Sequence, residues 1–263
     1  MTTLVLLAAC ADETQTTAPP APLDRDDLPR EDVKSGYEFL TRDTQNLQDD
    51  DFANPGFLWV DRGRDLFNAI EAGASVSCAS CHDGDGVNLS MSAATHPKID
   101  PASGELVNLE GRVNLCRERY QSLPPLAYES ENLLSLTAYV AHQSRGAPMS
   151  VAIDDAVAAA YQAGRDYFFT RKGQLNLACS QCHDDHWGAK LRGDTISQGH
   201  SNGFPTYRLE WQTLGSLHRR FQDCDIGVRA EPFEAGADIY VALELYLAAR
   251  ASGLEIETPA VRR

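Results

Sequence analysis

Two cysteines three positions apart, followed at once by a histidine, can hold one cofactor at three points. The stretch Cys179-Ser-Gln-Cys182-His183 has this form, and Cys78-Ala-Ser-Cys81-His82 repeats it. Each thiol can add to a vinyl group of one haem, which leaves the histidine beneath the iron as its proximal ligand. Cysteine and histidine each occur only 7 times in 263 residues, so two such pentads are not a compositional accident. A zinc knuckle would need four ligands close together, and a dithiol redox pair would need a strand before it. The reading is covalent haem c at both places, on Cys78, Cys81 and His82 and on Cys179, Cys182 and His183.

A haem iron with a proximal histidine has an opposite face to be explained. Electron-transfer cytochromes place Met or His there, and an open face suits peroxide chemistry. The methionines are Met1, Met91 and Met149, none of them in the second half. His96, His142, His200 and His218 are available, but they do not match between the halves. Cys116 and Cys224 do match, which makes them the axial candidates opposite His82 and His183. A thiolate on ferric iron donates strongly and lowers the reduction potential. The alternatives are buried free thiols or a Cys116–Cys224 disulfide in an oxidising compartment.

The elements that must position these groups are duplicated. Gly63-Arg-Asp-Leu-Phe67 begins 15 residues before Cys78, and Gly164-Arg-Asp-Tyr-Phe168 begins 15 before Cys179, an offset of 101. Cys116 and Cys224 are offset by 108, and Tyr139 and Tyr246 by 107. Apolar spacing predicts a helix over 56–72 stopped by Gly73, and one over 131–145 with Ser130 as N-cap. A third is expected from a cap at Asp154 or Asp155 to Phe169, and a last one from Pro232 to Ala251. The expected fold is all-α: two tandem class I cytochrome c domains with long loops, residues 35–150 and 151–263, each holding one covalent haem c.

The net charge of −15 argues against nucleic acid and anionic membrane surfaces and favours a basic protein partner. No run of 18 apolar residues is present, so no transmembrane helix is expected. Residues 1–10 read as the end of an export signal, short enough to place the true start upstream, and Leu7-Ala8-Ala9-Cys10 resembles a lipobox. Lipidation of Cys10 and cleavage as a plain signal are both open, and either implies export to the periplasm. Residues 11–34 are polar and proline-bearing, a tether. The acidic stretch 35–55 is expected to wrap the first domain.

The chain resembles the SoxA family, the dihaem subunits of the SoxAX cytochromes of sulfur-oxidising bacteria. The resemblance rests on both pentads, on Asn114-Leu-Cys116-Arg-Glu-Arg-Tyr120, and on Arg219-Arg220-Phe-Gln-Asp-Cys224-Asp-Ile-Gly-Val-Arg229. It implies His/Cys ligation of both haems, with Cys224 as the active-site ligand, often found as a persulfide. It implies an L-cysteine S-thiosulfotransferase that joins thiosulfate oxidatively to a cysteine of a SoxYZ-like carrier protein and passes electrons to a SoxX-like monohaem cytochrome c. Thiosulfate is a dianion and needs fixed positive charge within an acidic protein. Arg219, Arg220 and Arg229 flank Cys224, and Lys190 and Arg192 follow the second pentad. Arg220, one helical turn before Cys224, is the catalytic candidate, and Arg229 a second substrate contact. The same arginines could instead pair with haem propionates, and Arg117 and Arg119 near Cys116 are expected to be structural or propionate partners. Cys116 lacks the double arginine that precedes Cys224, so the first haem is expected to be a relay or structural centre. The competing functions are a dihaem electron carrier without its own substrate and a dihaem cytochrome c peroxidase.

Overall fold

The computed structural model describes residues 32–82 and 89–263. The export signal with Cys10, and all but the last three residues of the tether, lie outside them. In the first half, α1 (Arg42–Asp49) and α2 (Phe57–Asn68) precede the first pentad. A hairpin of β1 (Lys98–Ile99) and β2 (Leu106–Val107) leads into α3 (Leu109–Cys116), and α4 (Glu131–His142) follows. In the second half come α5 (Ala158–Phe169), a short helix α6 (Cys179–His183) over the second pentad, and the hairpin β3 (Lys190–Leu191) with β4 (Asp194–Thr195). A hairpin of β5 (Thr206–Arg208) and β6 (Thr213–Gly215) leads into α7 (Leu217–Gly227), followed by α8 (Asp238–Arg250) and β7 (Ala260–Arg262). Helices dominate, but these seven short strands, in three small antiparallel or mixed sheets, correct the all-α expectation.

Each half is built on one close helix crossing. Ser130 caps α4 by accepting from the Leu133 amide, and Leu133 to Ala141 are all buried. α2 crosses α4 at Gly63, where a Cβ would stand 2.0 Å from the Ser135 carbonyl oxygen. α5 crosses α8 at Gly164, where a Cβ would stand 2.1 Å from the Ala242 carbonyl oxygen. Only glycine lets the backbones approach this far, which is why both halves keep it. One turn later Phe67 meets Tyr139 at 5.1 Å and 53°, and Phe168 meets Tyr246 at 5.4 Å and 52°.

The hairpin and helix carrying the two axial cysteines repeat in the same register. Lys98 pairs with Val107 and Ile99 with Leu106; Thr206 pairs with Gly215 and Tyr207 with Leu214. The offset is 108 at every position, as it is between Cys116 and Cys224. Asn108 caps α3 through the Gly111 amide, and Ser216 caps α7 through the Arg219 amide, again 108 apart.

Several boundaries depart from the sequence reading. α5 starts at Ala158 because Asp154 accepts from the Ala156 amide in a turn instead of capping a helix. α8 starts at Asp238 rather than Pro232; Gly236, with φ +88, lies against the Tyr128 ring, and the Phe233 amide donates to the Tyr240 hydroxyl. α2 ends at Asn68 because Ala69 turns extended. Residues 35–55 do not simply wrap the first half. Asn54 donates to the Pro259 carbonyl at 2.9 Å, and Gln48 accepts from the Val261 amide at 3.0 Å, so this segment straps the C-terminal tail. The tail in turn adds β7 in parallel to β5. The halves also meet across α3, α7 and α8, where Asn108 donates to Glu244 at 3.1 Å and Tyr128 stacks on His218 at 5.8 Å.

Candidate haem and anion site

The second pentad gathers its partners tightly. His183 lies within hydrogen-bonding reach of the Cys224 sulfur, and Cys224 acts electrostatically on both Cys179 and Cys182. The His183 ring holds its Nδ1 at 2.7 Å from the Ser197 carbonyl, so Nδ1 carries the proton and Nε2 is left to bind. Gly199, with φ +76, stands where a Cβ would come within 3.0 Å of that ring. Cys179 packs against the buried cluster that contains Phe168, Leu217, Phe221, Tyr240 and Tyr246, apolar surroundings suited to a macrocycle. Its thiol is pushed up to about 12 by burial.

Arg220 reaches this centre from α7. It lies one turn before Cys224, on the same helix face. Burial raises the Cys224 thiol, but the Arg220 guanidinium and the His183 contact more than offset it and bring the thiol down to about 7. In return, the Cys224 sulfur is the chief cause that raises Arg220. Among the described residues no carboxylate forms an ion pair with Arg220.

The first pentad is arranged differently. Cys116 ends α3, acts electrostatically on Cys78, and is raised by burial. The His82 ring lies 5.8 Å from Phe67, and among the described residues nothing accepts a hydrogen bond from it. A small pocket opens beside Cys78, lined by Leu66, Ala69, Leu126 and Leu136 with Arg117 and Gln121. Arg112 stands one turn before Cys116 and acts on its thiol against the effect of burial, so the first half does carry a counterpart of Arg220, 108 residues earlier. The missing double arginine had hidden this equivalence. Arg112 and Arg119 both pair with Asp100, at 2.8 and 2.6 Å, and Arg117 forks onto Glu71 at 2.7 and 3.2 Å. Arg117 and Arg119 are therefore held by carboxylates of the chain.

The remaining sequence candidates lie elsewhere. Arg229 is exposed beyond the end of α7 with φ +59, and among the described residues no hydrogen bond or ion pair joins it to Cys224 or Arg220. Lys190 donates to Thr195 at 2.5 Å on an exposed hairpin, with Arg192 at its turn. His96 bonds the Ser92 carbonyl at 2.6 Å, His142 the Thr258 carbonyl at 3.1 Å, and His200 the Gln198 side chain at 3.1 Å. His218 accepts from the Gly236 amide at 2.9 Å and stands 3.2 Å from Glu244. The six described cysteines are free, so Cys116 and Cys224 form no disulfide here.

The donor sets suit haem and not a bare ion. No group of three or more metal-binding side chains occurs among the described residues. Haem brings four nitrogens of its own, so a histidine and one opposed sulfur complete the iron. The oriented His183, the neighbouring Cys224 sulfur and the apolar cluster by Cys179 fit that requirement.

The comparisons with known proteins agree. Residues 62–149 match the family model described as SoxA/TsdA, cytochrome c domain, and haem c goes with that domain. The chain is 40% identical over 236 residues to the L-cysteine S-thiosulfotransferase subunit SoxA of Pseudaminobacter salicylatoxidans, covering 89% of this chain and 82% of that protein. It is 38% identical over 232 residues to the subunit of the same name from Rhodovulum sulfidophilum, covering 88% and 81%. The crystal structure of SoxXA from P. pantotrophus superposes with a TM-score of 0.84 at 39% identity, covering 88% of this chain and 87% of that one. With this identity over most of both chains, the protein belongs to the SoxA family.

Proposed function

We propose that this chain is the SoxA-type subunit of an L-cysteine S-thiosulfotransferase. It joins thiosulfate to a cysteine of a SoxYZ-like carrier protein. The observation that carries the reading is the meeting of Cys224, His183 and Arg220 at one centre, where among the described residues no carboxylate forms an ion pair with Arg220.

The halves, 35–150 and 151–263, are two cytochrome c domains, each with one haem c. Cys78 and Cys81, and Cys179 and Cys182, form the thioethers. His82 with Cys116, and His183 with Cys224, would hold the two irons. Haem c, when bound, supplies a one-electron acceptor beside the sulfur. A carrier thiol and thiosulfate lose two electrons and one proton as the sulfur–sulfur bond forms. The electrons leave singly to a SoxX-like monohaem cytochrome c, and the proton goes to water. Arg220 binds the sulfonate end and turns the outer sulfur toward Cys224, which can serve as a thiolate or as a persulfide. Ser197 fixes the His183 tautomer, and Gly199 leaves that ring its room. The setting is the periplasm, with or without a lipid on Cys10. Among the described residues no helix is long and apolar enough to cross a membrane.

The test combines two measurements on protein from a host that attaches haem c. Intact mass after denaturation should show the mass of two haems retained on the chain. With a partner monohaem cytochrome and a carrier protein, thiosulfate should become attached to the carrier cysteine. Haem lost on acid-acetone extraction, or no carrier adduct from a fully haem-loaded complex, would overturn the reading.

A further inference from the structure

Asp100 and Arg208 occupy the same place in the two halves. The shared register of the hairpins carries on one residue past β1: the Asp100 amide donates to the Glu105 carbonyl at 2.8 Å, and Arg208 pairs with Thr213. Both partners are again 108 apart. The next helix then presents Arg112 in the first half and Arg220 in the second. At equivalent positions the first half sets a carboxylate against its helix arginine, whereas the second sets a guanidinium there.

The two outcomes differ in charge. Asp100 is 1% exposed and closes on Arg112 and Arg119, so that cluster leaves no cation for a ligand. Arg208 is 7% exposed, and among the described residues its buried Nε has no hydrogen-bond partner. Among those residues its one ion pair is at 3.3 Å, to Glu210, an exposed side chain. Trp211 fixes the geometry. It donates to Asp223 on α7 at 2.9 Å, and Arg208 and Arg219 both lie over its ring, at 5.1 and 4.4 Å. This ties the β5–β6 hairpin to the helix turn that bears Arg220. After burial, Arg220 is the largest cause that lowers Arg208, as expected for two guanidiniums sharing one pocket. Burying an unpaired donor and two like charges side by side is costly unless an anion completes them.

We propose that Arg208 and Arg220 form a two-guanidinium clamp for the sulfonate of a doubly charged sulfur oxyanion, with Arg208 the second substrate-positioning residue of the Cys224 centre. The proposal rests on the thiosulfate-conjugating reading above. One guanidinium balances half the charge of a dianion; two planar forks can balance it all and fix the rotation of the sulfonate. Asp100 in the first half is the built-in equivalent of that anion.

The experiment uses the haem-loaded complex with Arg208→Asp, which copies the first half, together with Arg208→Lys and Glu210→Gln. Thiosulfate is titrated into the oxidised complex while the haem absorption is followed, and KM for thiosulfate is measured in carrier conjugation. Arg208→Asp should weaken thiosulfate about tenfold or more in both measurements. Arg208→Lys should fall between it and the wild type, and Glu210→Gln should bind at least as tightly as the wild type. Sulfate should compete in the wild type and fail to compete in Arg208→Asp. Unchanged thiosulfate affinity in both Arg208 variants overturns the clamp. A changed reduction potential of the second haem with unchanged thiosulfate affinity also overturns it, and makes Arg208 a propionate partner. Wild-type protein that binds thiosulfate and makes no carrier adduct refutes the conjugating function, while loss of binding in Arg208→Asp would still uphold the anion clamp.

Discussion

The cysteine helices α3 and α7 are the same device with opposite electrostatics. Each follows a two-stranded hairpin in one register, begins at a side-chain cap, and places an arginine one turn before its cysteine. Around Cys116 the chain supplies its own counter-charge, with Asp100 holding Arg112 and Arg119. Around Cys224, among the described residues, no carboxylate closes an ion pair with Arg220, and Arg208 is added beside it. A buried cation satisfied from within is structural, and one left unsatisfied is a site for something arriving from outside. Position in a repeat therefore assigns the scaffold, and the neighbouring charge assigns the role. In this reading the first centre relays or stabilises, and the second does chemistry.

The largest expected effect breaks the comparison directly. Arg220→Ala should lower carrier conjugation by about 10²–10³, the cost of removing one positioned donor from a developing charge. Arg112→Ala removes the equivalent residue of the other half and should leave turnover within about tenfold of the wild type, since no substrate contact is lost. Both proteins should keep two haems, checked by intact mass and absorption. Equal losses in the two variants would mean that the halves share the reaction, or that neither arginine touches substrate.

A second pair of substitutions tests the likeness of the halves. Ala at position 63 or 164 would drive a methyl group into a carbonyl oxygen of the facing helix. The helices must then part, and overpacking of this kind costs about 1–3 kcal/mol or more. Gly63→Ala and Gly164→Ala should each lower the chemical-denaturation midpoint, by similar amounts if the crossings are equivalent. A neutral Gly63→Ala beside a severe Gly164→Ala would show that only one half depends on its close crossing. Arg220→Ala, by contrast, should leave the midpoint nearly unchanged, which separates the scaffold from the site.

How much of this was legible in the sequence varies by element. The pentads, the Gly63 and Gly164 repeats and the α4 cap are local patterns, and each appears where spacing places it. Arg112 was also legible: the offset of 108 that links Cys116 to Cys224 leads from Arg220 straight to it. The adjacent pair Arg219-Arg220 has no counterpart doublet before Cys116, which masks the equivalence. Asp100 and Arg208 were not legible, because their meaning depends on which helix arginine the hairpin brings them against. The strands are two or three residues long, too short for a period-2 signal, and β7 owes its place to a tail strapped by Gln48 and Asn54. Pro232 suits a first helical turn, yet the packing of Gly236 against Tyr128 delays the start of α8 to Asp238.

The smallest expected effect lies at the seam, where the repeats place Glu110 in α3 and His218 in α7. Both stand near Glu244 of α8. Glu110 acts electrostatically with it, and His218 lies 3.2 Å from one of its oxygens. Burial holds the Glu110 carboxyl well above its ordinary value, and the charges of Glu244 and Glu129 push it the same way. The native state therefore keeps a proton on Glu110 at pH values where the unfolded chain, titrating near 4.3, has released it. Through that window the folded form binds more protons, so stability is full below about pH 4 and falls as pH rises toward the elevated native value. Glu110→Gln keeps the neutral, hydrogen-bonding shape and removes the titration. It should match the wild type near pH 4.5 and gain on the order of 1–2 kcal/mol by pH 8, since each unit of displacement is worth about 1.4 kcal/mol. Denaturation midpoints of Glu110→Gln and the wild type across pH 4.5–8 decide the matter. A wild-type stability that climbs with pH in step with Glu110→Gln would show that Glu110 is ionised in the fold, and that the seam does not distinguish the halves in this way.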